Sequence, residues 1–335
     1  MIKILFLLLL CAFSVSCKGR EDTSKQIKEP ETTISKSEAE TEKAQESVSS
    51  AGEIQVSYQT QRPLAGLSAI GGRVNTFEIN PVNYENPDIE VLIQIGADKH
   101  LISFLQGEKF YREGNMDMAL AEYTAAINEN AEFIEALISR GNTWLQKKEY
   151  SRAVDDFTRS IRLDSRRAEI YNYRGFARTE KGDFIPAIED FTRAIEINRN
   201  YVDALVNRSY VYLEMNAYDR TIEDCSRIII LEPENARIWN RRGSAHYLKG
   251  DDDRAISDFT EAIRLMGDYA IALYNRGNAW YNKGEYDKAL ADINRTLAIN
   301  PSFAGAYTSR GNILSKMGNQ ASAAADFETA KQLSR

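Results

Sequence analysis

Apolar residues recur along most of the chain with the spacing of an amphipathic helix, in pairs that are separated by a short polar turn. The clearest copy runs from Ala270 to Phe303, where two such stripes flank the turn around Gly284. A glycine there can take the left-handed backbone that ends a helix, and Pro301 stops the second stripe, because the residue before a proline is disfavoured in the helical region. Gly277 and Ala289 place small side chains where the two helices would cross. The stretch therefore predicts a helix hairpin with a small-residue crossing.

This hairpin recurs every 34 residues between residues 100 and 335. The small residue of the first helix forms the column Gly107, Gly141, Gly175, Ser209, Gly243, Gly277 and Gly311. The small residue of the second helix forms the column Ala119, Ala153, Ala187, Thr221, Ala255, Ala289 and Ala323. A third column is mostly aromatic and reads Tyr123, Phe157, Phe191, Cys225, Phe259, Ile293 and Phe327. Copies in one register predict an array in which each hairpin buries its apolar face against its neighbours.

The period, the helix-turn-helix unit and the small and aromatic columns together resemble the tetratricopeptide repeat (TPR) family. The resemblance covers residues 100–335 and implies an all-α TPR solenoid, a right-handed superhelix of seven repeats. The expected repeats are residues 100–133, 134–167, 168–201, 202–235, 236–269, 270–303 and 304–335. One scaffold of this kind serves many partners, so the resemblance specifies the fold more closely than the function.

A charged pair repeats with the same period. An arginine precedes the small residue of the first helix in six copies, as Arg140, Arg174, Arg208, Arg242, Arg276 and Arg310. An aspartate precedes the aromatic column of the second helix in the same copies, as Asp156, Asp190, Asp224, Asp258, Asp292 and Asp326. Because ordinary surface positions drift between copies, this repetition predicts an ion-pair ladder between helices.

The fourth repeat departs most from the pattern. Ser209, Thr221, Cys225 and Ile228 replace the glycine, alanine, phenylalanine and small residue of the other copies. The added and lost volumes offset each other, and compensating changes of this kind are tolerated best. We therefore expect a repacked junction, with a hinge as the alternative.

The last repeat carries Lys331 and Ala324 where earlier copies have large apolar side chains. These replacements predict a final helix without an apolar outer face, so that the array would end there.

The amino terminus resembles that of an exported and lipidated bacterial protein. Residues 1–16 combine a basic start with a short apolar run, as a secretory signal peptide does. The sequence Ser14-Val15-Ser16-Cys17 resembles a relaxed lipobox, which implies cleavage before Cys17 and lipidation of its thiol. Fatty chains there would hold the protein on a membrane surface. The alternative is an ordinary signal peptide that is cleaved nearby and leaves Cys17 unmodified.

Two further segments separate the predicted anchor from the repeats. Residues 17–53 are rich in Ser, Thr, Glu and Lys and almost lack large apolar side chains, so we predict a disordered tether. Residues 54–99 precede a first helix that is apolar nearly all round, and we predict that they cap it. An alternative is that residues 54–80 lie in the groove of the array.

Composition excludes several classes of function. The net charge of −7 argues against general nucleic-acid binding. The two histidines, His100 and His246, lie in distant repeats without the spacing of metal ligands, and neither a phosphate-binding loop nor a nucleophile elbow occurs. Cys225 would be the one cysteine left in the repeats, and we expect an inert buried thiol. We therefore expect no enzymatic activity, no metal and no cofactor.

The resemblance also implies where a ligand would bind. In TPR proteins the first helix of each repeat lines a concave groove that receives extended peptides or helices. The residues at matching positions here include Asn142, Glu169, Asp203, Asn240, Tyr247, Tyr274, Asn278, Tyr281, Asn282 and Asn312. Amide side chains can donate to and accept from a peptide backbone, and tyrosines add rigid apolar area with a polar tip. The carboxylates would favour basic partners and would repel the terminal carboxylate that some TPR domains clamp.

These features predict a membrane-anchored protein–protein interaction scaffold at the bacterial cell envelope, which binds an extended, basic peptide or a partner helix in its groove. We expect an anchor in the outer membrane with the array on the periplasmic face. The alternative is a surface-exposed lipoprotein that contacts extracellular or host molecules. The sequence leaves the oligomeric state and the identity of the partner open.

Overall fold

The repeats fold into paired helices in the computed structural model, which describes residues 96–334 together with Ile89 and Ile93. The predicted signal peptide with Cys17, the predicted tether, most of the predicted capping segment and the groove alternative for residues 54–80 lie outside these residues. No β-strand occurs between residues 96 and 334, and the fold there is all-α as expected.

Consecutive helices pair into hairpins, and each hairpin packs against the next one along the chain. The helices are α1 (Lys99–Arg112), α2 (Met116–Glu129), α3 (Ile134–Gln146), α4 (Tyr150–Leu163), α5 (Ala168–Lys181), α6 (Phe184–Ile197), α7 (Val202–Glu214), α8 (Tyr218–Leu231), α9 (Ala236–Leu248), α10 (Asp252–Leu265), α11 (Ala270–Asn282), α12 (Tyr286–Ile299), α13 (Ala304–Lys316) and α14 (Gln320–Leu333). Odd-numbered helices are the first helices of the hairpins, and even-numbered helices are the second.

The turn inside each hairpin contains a residue with left-handed backbone angles. Glycine takes this place in five hairpins, whereas Lys148 (φ 62°) and Asn216 (φ 59°) take it in the other two. Asparagine tolerates this conformation better than most residues with a side chain. For an ordinary L-residue it costs roughly 1–2 kcal/mol. The turn between α3 and α4 is therefore strained at Lys148.

The glycine column makes room for the aromatic column. A Cβ atom on Gly141 would lie 2.7 Å from Cε1 of Phe157, and one on Gly175 would lie 2.7 Å from Cε1 of Phe191. Both distances are too short for a real contact, so each ring lies directly against its glycine. The two phenylalanines are fully buried, and burial of such a side chain contributes about 1.5–3 kcal/mol. The small residue predicted at the helix crossing thus mainly makes room for the aromatic ring of the partner helix.

The predicted ion-pair ladder is confirmed, since all six arginine–aspartate pairs form. In each pair the arginine Nε and Nη2 donate to the carboxylate, with the shortest N–O distances between 2.7 and 2.8 Å and the aspartates 2–8% exposed. The remaining Nη1 donates to a side chain on the second helix of the preceding repeat. These acceptors are Thr124, Thr158, Thr192, Ser226, Thr260 and Asn294. Each arginine therefore joins three helices and crosses the junction between two repeats.

The fourth repeat is repacked around a buried arginine from the fifth. Arg241 on α9 is 1% exposed, and its Nη1 donates to the Val206 carbonyl at 2.6 Å and to Ser209 Oγ at 2.7 Å. Ser209 replaces the usual glycine and so supplies an acceptor, while Cys225 replaces the usual ring and leaves space. Cys225 is fully buried, and burial raises the pKa of its thiol to about 12. The thiol is therefore protonated at neutral pH, which agrees with the expected inert role.

The outer face of α14 is partly apolar, so the expectation for the last helix is wrong in part. Lys331 and Ala324 are exposed as expected, but Phe327 is 41% exposed and Leu333 is 43% exposed. Phe327 continues the aromatic column over Gly311. In the inner repeats a following hairpin covers the ring at this position, and within the described residues no hairpin follows α14.

Candidate functional site

The odd-numbered helices carry all the candidate binding residues of the repeats on one side, which we call the groove face. Helical spacing brings them together, because residues three and four positions apart share one side of a helix. On α11 these residues are Tyr274, Asn278 and Tyr281, and on α3 the candidate Asn142 shares its side of the helix with Glu135 and Ile138.

Carboxylates dominate the groove face of the early repeats. Glu169 accepts a hydrogen bond from Nε of Arg167 at 2.7 Å, and Nη1 of Arg167 donates to Glu135 at 3.3 Å. One guanidinium therefore serves two carboxylates, and Asp203 adds a third acidic group. Burial, together with the charges of Glu169 and Asp203, raises the pKa of Tyr173. This part of the groove face is acidic, as the sequence predicted.

Asn142 lies in this acidic half and is 1% exposed. Neither Nδ2 nor Oδ1 of its amide has a hydrogen-bond partner in the structure. A buried amide without partners costs about 1–3 kcal/mol relative to one that is hydrogen-bonded. Asn142 is thus a buried candidate whose hydrogen-bonding capacity the fold leaves unused.

A buried polar cluster beside Asn142 did not emerge from the sequence. Glu108 on α1 accepts hydrogen bonds from the Tyr123 hydroxyl at 2.8 Å and from Ser139 Oγ at 2.7 Å. Burial raises the pKa of Glu108, and the two hydrogen bonds only partly oppose that effect. The sequence did contain a sign of this cluster, because Tyr123 occupies a mostly phenylalanine column and its buried hydroxyl needs a hydrogen-bond partner. Ser139 lies one helical turn before Asn142, which joins the cluster to the groove face.

Two candidates in the later repeats are buried in the packing. Asn240 is 3% exposed and accepts a hydrogen bond from Nδ2 of Asn275 at 3.2 Å. Tyr274 is 4% exposed, and its ring centroid lies 4.7 Å from that of Phe303. A tyrosine that contacts a ligand from the groove face would have to be exposed, whereas the Tyr274 ring is buried because it packs against the loop before α13. A ligand contact by either residue stays a prediction.

The other candidates of the later repeats reach the surface. Those that are half-buried are Tyr247, Asn278 and Tyr281, and those that are exposed are Asn282 and Asn312. The Tyr281 ring lies 5.7 Å from the Tyr286 ring, and Nδ2 of Asn282 donates to Asp252 at 3.3 Å. The structure therefore brings tyrosine and amide groups together on α9, α11 and α13, at the accessible end of the groove face.

Amide pairs join consecutive odd-numbered helices. Nδ2 of Asn207 donates to Oδ1 of Asn172 at 3.0 Å, and Asn275 and Asn240 are related in the same way two repeats later. The two asparagines of each pair are 35 residues apart, which is one 34-residue repeat plus one position. That spacing is visible in the sequence and could have predicted the pairs. The pairs fix the orientation of these side chains along the groove face.

His246 is buried, and burial lowers its pKa against the opposing charge of Asp258, whose carboxylate lies 4.0 Å away. Between residues 96 and 334 no three His, Cys, Asp or Glu side chains are grouped so that they could hold a metal ion. Among the same residues, every helix is too short or too polar to cross a bilayer.

Comparison with known proteins places four of the repeats in one family. Sequence models of the tetratricopeptide repeat match residues 168–201, 236–269, 270–303 and 304–335. A search of curated protein sequences gave no significant match.

Three solved structures with a similar fold are described as TPR proteins. A tetratricopeptide repeat protein from Parabacteroides merdae is 20% identical with a TM-score of 0.56, over 71% of this chain and 94% of that one. The C-terminal part of a TPR protein from Cytophaga hutchinsonii is 13% identical with a TM-score of 0.59, over 69% and 95%. YrrB, described as a TPR protein with an unusual peptide-binding site, is 18% identical with a TM-score of 0.51, over 56% and 97%.

The matches and the helix pairing agree, so the chain contains tetratricopeptide repeats and has their all-α fold. Such repeats are generally scaffolds for protein–protein interaction without enzymatic activity.

Proposed function

We propose that the protein is a membrane-anchored scaffold at the bacterial cell envelope, and that its groove face binds an extended peptide or a partner helix. The repeats supply the binding surface, and acylated Cys17 supplies the anchor. The partner is recognised partly through its backbone, by the amides and tyrosines of the groove face, and partly through basic side chains, by the carboxylates of the early repeats.

The observation that carries the binding proposal is the unused amide of Asn142. Buried polar groups are nearly always hydrogen-bonded, and each exception needs an explanation. A peptide in the groove supplies one once the side chains that cover Asn142 move aside on binding, because its backbone carbonyl can then accept from Nδ2 while its N–H donates to Oδ1. Side-chain amides and half-buried tyrosines further along the face, such as Asn278 and Tyr281, suit the same ligand. YrrB is described as having an unusual peptide-binding site, which is consistent with such a role. At 18% identity, the likeness to YrrB shows a shared fold.

Peptide selection tests the binding proposal. Twelve-residue random peptides displayed on phage would be selected against the full chain without its signal peptide, and the recovered peptides synthesised. We expect Asn142→Ala and Tyr281→Ala each to weaken their binding, measured by fluorescence anisotropy. The matched control is Asn128→Ala, an exposed asparagine on α2 outside the groove face. Equal affinities for the Asn142 and Asn128 variants would exclude the groove as the binding site.

The anchor rests on the residues around Cys17 and is tested separately. Cells fed an alkyne-bearing fatty acid should label the protein, and Cys17→Ser should abolish the label and release the protein from membranes. Unlabelled wild type would contradict the anchor but leave the binding proposal intact. Protease treatment of intact cells then places the array, because only a surface-exposed lipoprotein would be digested without permeabilisation.

A further inference from the structure

Arg167 departs from a column of the repeat that is otherwise uncharged. The residue immediately before each odd-numbered helix from α3 onward reads Phe133, Arg167, Tyr201, Asn235, Tyr269 and Phe303. Each of the four aromatic members packs against a hydrophobic cluster of the array. Arg167 brings a full charge to this place, so packing of the kind seen in the other repeats does not explain it.

The local backbone does not favour a cation at this place. Arg167 occupies the N-cap of α5, where its side chain makes no capping hydrogen bond. The helix dipole gives this end of α5 a partial positive charge, which disfavours a cation. Burial also disfavours the charged guanidinium, but the hydrogen bonds and charges of Glu169 and Glu135 outweigh it and raise the pKa of Arg167. The two carboxylates therefore hold the guanidinium in place.

These carboxylates hold the guanidinium unequally. Nε of Arg167 lies 2.7 Å from Oε1 of Glu169, which is a normal length for a hydrogen bond between charged groups. Nη1 lies 3.3 Å from Oε1 of Glu135, which is longer than the usual distance of about 2.7–2.9 Å. The side chain of Glu135 is 24% exposed, so a ligand can reach it. Glu135 thus accepts the weaker of the two bonds, and a ligand cation would replace that bond first.

Glu135 is also within reach of a chain that binds at Asn142. Both residues lie on the same side of α3, seven residues apart, which corresponds to about 10 Å along the helix axis. An extended peptide covers that length with about three residues. A peptide that is bound through its backbone at Asn142 can therefore present a side chain to Glu135.

The acidic stretch stays negative although Arg167 lies within it. The second residue of successive odd-numbered helices reads Glu135, Glu169 and Asp203, and the stretch ends at Arg237 on α9. Burial raises the pKa of Tyr173 most, and the charges of Glu169 and Asp203 raise it further. Arg167 opposes these two charges and has a smaller effect. Carboxylate charge therefore outweighs the guanidinium at this point of the groove face, and a second cation is attracted.

We propose that Arg167 is a built-in competitor for basic ligands, because its guanidinium takes the place at Glu135 that a lysine or arginine of the bound peptide occupies in the complex. On binding, Nη1 of Arg167 leaves Glu135 and the ligand cation replaces it, while Nε keeps its bond to Glu169. The inference rests on the proposed function and deepens it, since Glu135 selects a basic partner and Arg167 lowers the affinity for that partner. An arginine that only joined the second and third repeats would not improve binding when it is removed.

Matched peptides measure this competition. The probes are blocked heptapeptides Gly-Ser-Val-X-Val-Ser-Gly, in which X is arginine or its uncharged analogue citrulline. They are titrated to millimolar concentration into the chain without its signal peptide, and binding is followed by NMR. We expect the wild type to prefer the arginine peptide, because the acidic stretch attracts its charge.

Removal of the competitor should strengthen binding. In Arg167→Gln the affinity for the arginine peptide should rise about tenfold, since the ligand no longer has to break a charge-assisted hydrogen bond. The affinity for the citrulline peptide should change less than twofold. Arg167→Lys keeps a competing cation and should stay near the wild-type affinity. A gain in affinity cannot arise from misfolding, so the result does not depend on an unchanged melting curve.

The neighbouring arginine provides the matched control. Arg166 carries the same charge one residue earlier, but its side chain is 90% exposed and pairs with Asp164. Arg166→Gln should therefore change the affinity for the arginine peptide less than twofold. A comparable gain in both variants would show a general effect of net charge.

Glu135→Gln tests the selecting carboxylate. It should abolish the preference for arginine over citrulline, both alone and combined with Arg167→Gln. Its control is Glu189→Gln, which removes an exposed carboxylate from the even-numbered helix α6 and should leave the preference intact. In the wild type, the carboxyl signal of Glu135 should shift during the titration, whereas the Nε–H signal of Arg167 should persist.

Four results would each overturn the inference. They are an unchanged or lower affinity of Arg167→Gln for the arginine peptide, failure of that peptide to bind this variant, an equal gain from Arg166→Gln, and a preference for arginine that survives Glu135→Gln. The proposed function fails on a different result, namely phage-selected peptides that are insensitive to Asn142→Ala. Selected peptides that need Asn142 but do not respond to Arg167→Gln would refute the inference alone.

Discussion

Replacing Asp224 with asparagine tests the ladder that holds neighbouring repeats together. Asp224 is 2% exposed and accepts from Arg208 Nη2 at 2.8 Å and from its Nε at 2.9 Å. The same arginine donates from Nη1 to Thr192 Oγ1 of the preceding repeat at 2.9 Å. In Asp224→Asn the carboxylate charge is lost, and one amide hydrogen faces the guanidinium where an acceptor was. Arg208 stays largely buried with its charge uncompensated.

The expected loss of folding free energy is large for a variant that replaces one carboxylate oxygen with an amide nitrogen. Breaking a buried pair by removing one partner costs about 3–5 kcal/mol, and since Arg208 is 13% exposed we expect the lower end, about 3 kcal/mol. For an array of this length each kcal/mol corresponds to roughly 2–4 °C in Tm. The variant should therefore melt about 6–12 °C below wild type, measured by circular dichroism at 222 nm and checked against the urea midpoint.

The same helix offers a matched control. Asp219 on α8 pairs with Lys249 across a repeat junction but is 82% exposed. Exposed pairs contribute about 0–1 kcal/mol, so Asp219→Asn should shift the melting temperature little. If Asp224→Asn were no more damaging than Asp219→Asn, the ladder would not stabilise the array in the way we infer. A double variant that replaces Arg208 and Asp224 by apolar residues should recover part of the loss, because no unpaired charge stays buried.

Other predictions follow from single residues. Burial raises the pKa of Glu108 in the folded state, so the free energy of unfolding should fall as the pH rises from the unfolded-state pKa through the folded-state pKa. The urea midpoint of the wild type should therefore be lower at pH 7.5 than at pH 5, and Glu108→Gln should lack that difference. Lys148→Gly should raise the melting temperature, because it removes a left-handed conformation that costs a side chain roughly 1–2 kcal/mol; an unchanged or lower value would refute the strain. Cys225→Phe should lower the urea midpoint by overpacking the space beside Arg241, at about 1–3 kcal/mol, whereas a neutral effect would mean that the repacked junction has room to spare.

The sequence was sufficient for those parts of the fold that depend on period. Helix positions, the crossing residues and the arginine–aspartate pairs all repeat every 34 residues, and repetition separates structural positions from surface drift. Contacts between repeats were harder to foresee. The third bond of each ladder arginine joins residues 16 apart that belong to different hairpins, so its acceptor becomes evident only when the hairpins are stacked.

The residues that depart from the repeat pattern are explained by contacts with a neighbouring helix or repeat, which the sequence of one repeat does not show. Ser209 and Cys225 look like losses within the fourth repeat, yet they accommodate Arg241 of the fifth. Tyr123 similarly serves Glu108 on the preceding helix. For the groove, helical spacing placed the candidates on one face but could not tell which were buried, as Tyr274 demonstrates.

The central claim, that partners bind on the groove face, is tested most directly by photo-crosslinking in living cells. The photoreactive residue p-benzoylphenylalanine would be placed at Tyr281 on α11 and, as the control, at Ile230 on α8, which is 80% exposed on an even-numbered helix. We predict a discrete crosslinked partner from position 281 that is lost when Asn142→Ala is added, and none from position 230. Crosslinks from position 230 alone, or crosslinks at 281 that survive Asn142→Ala unchanged, would contradict the account.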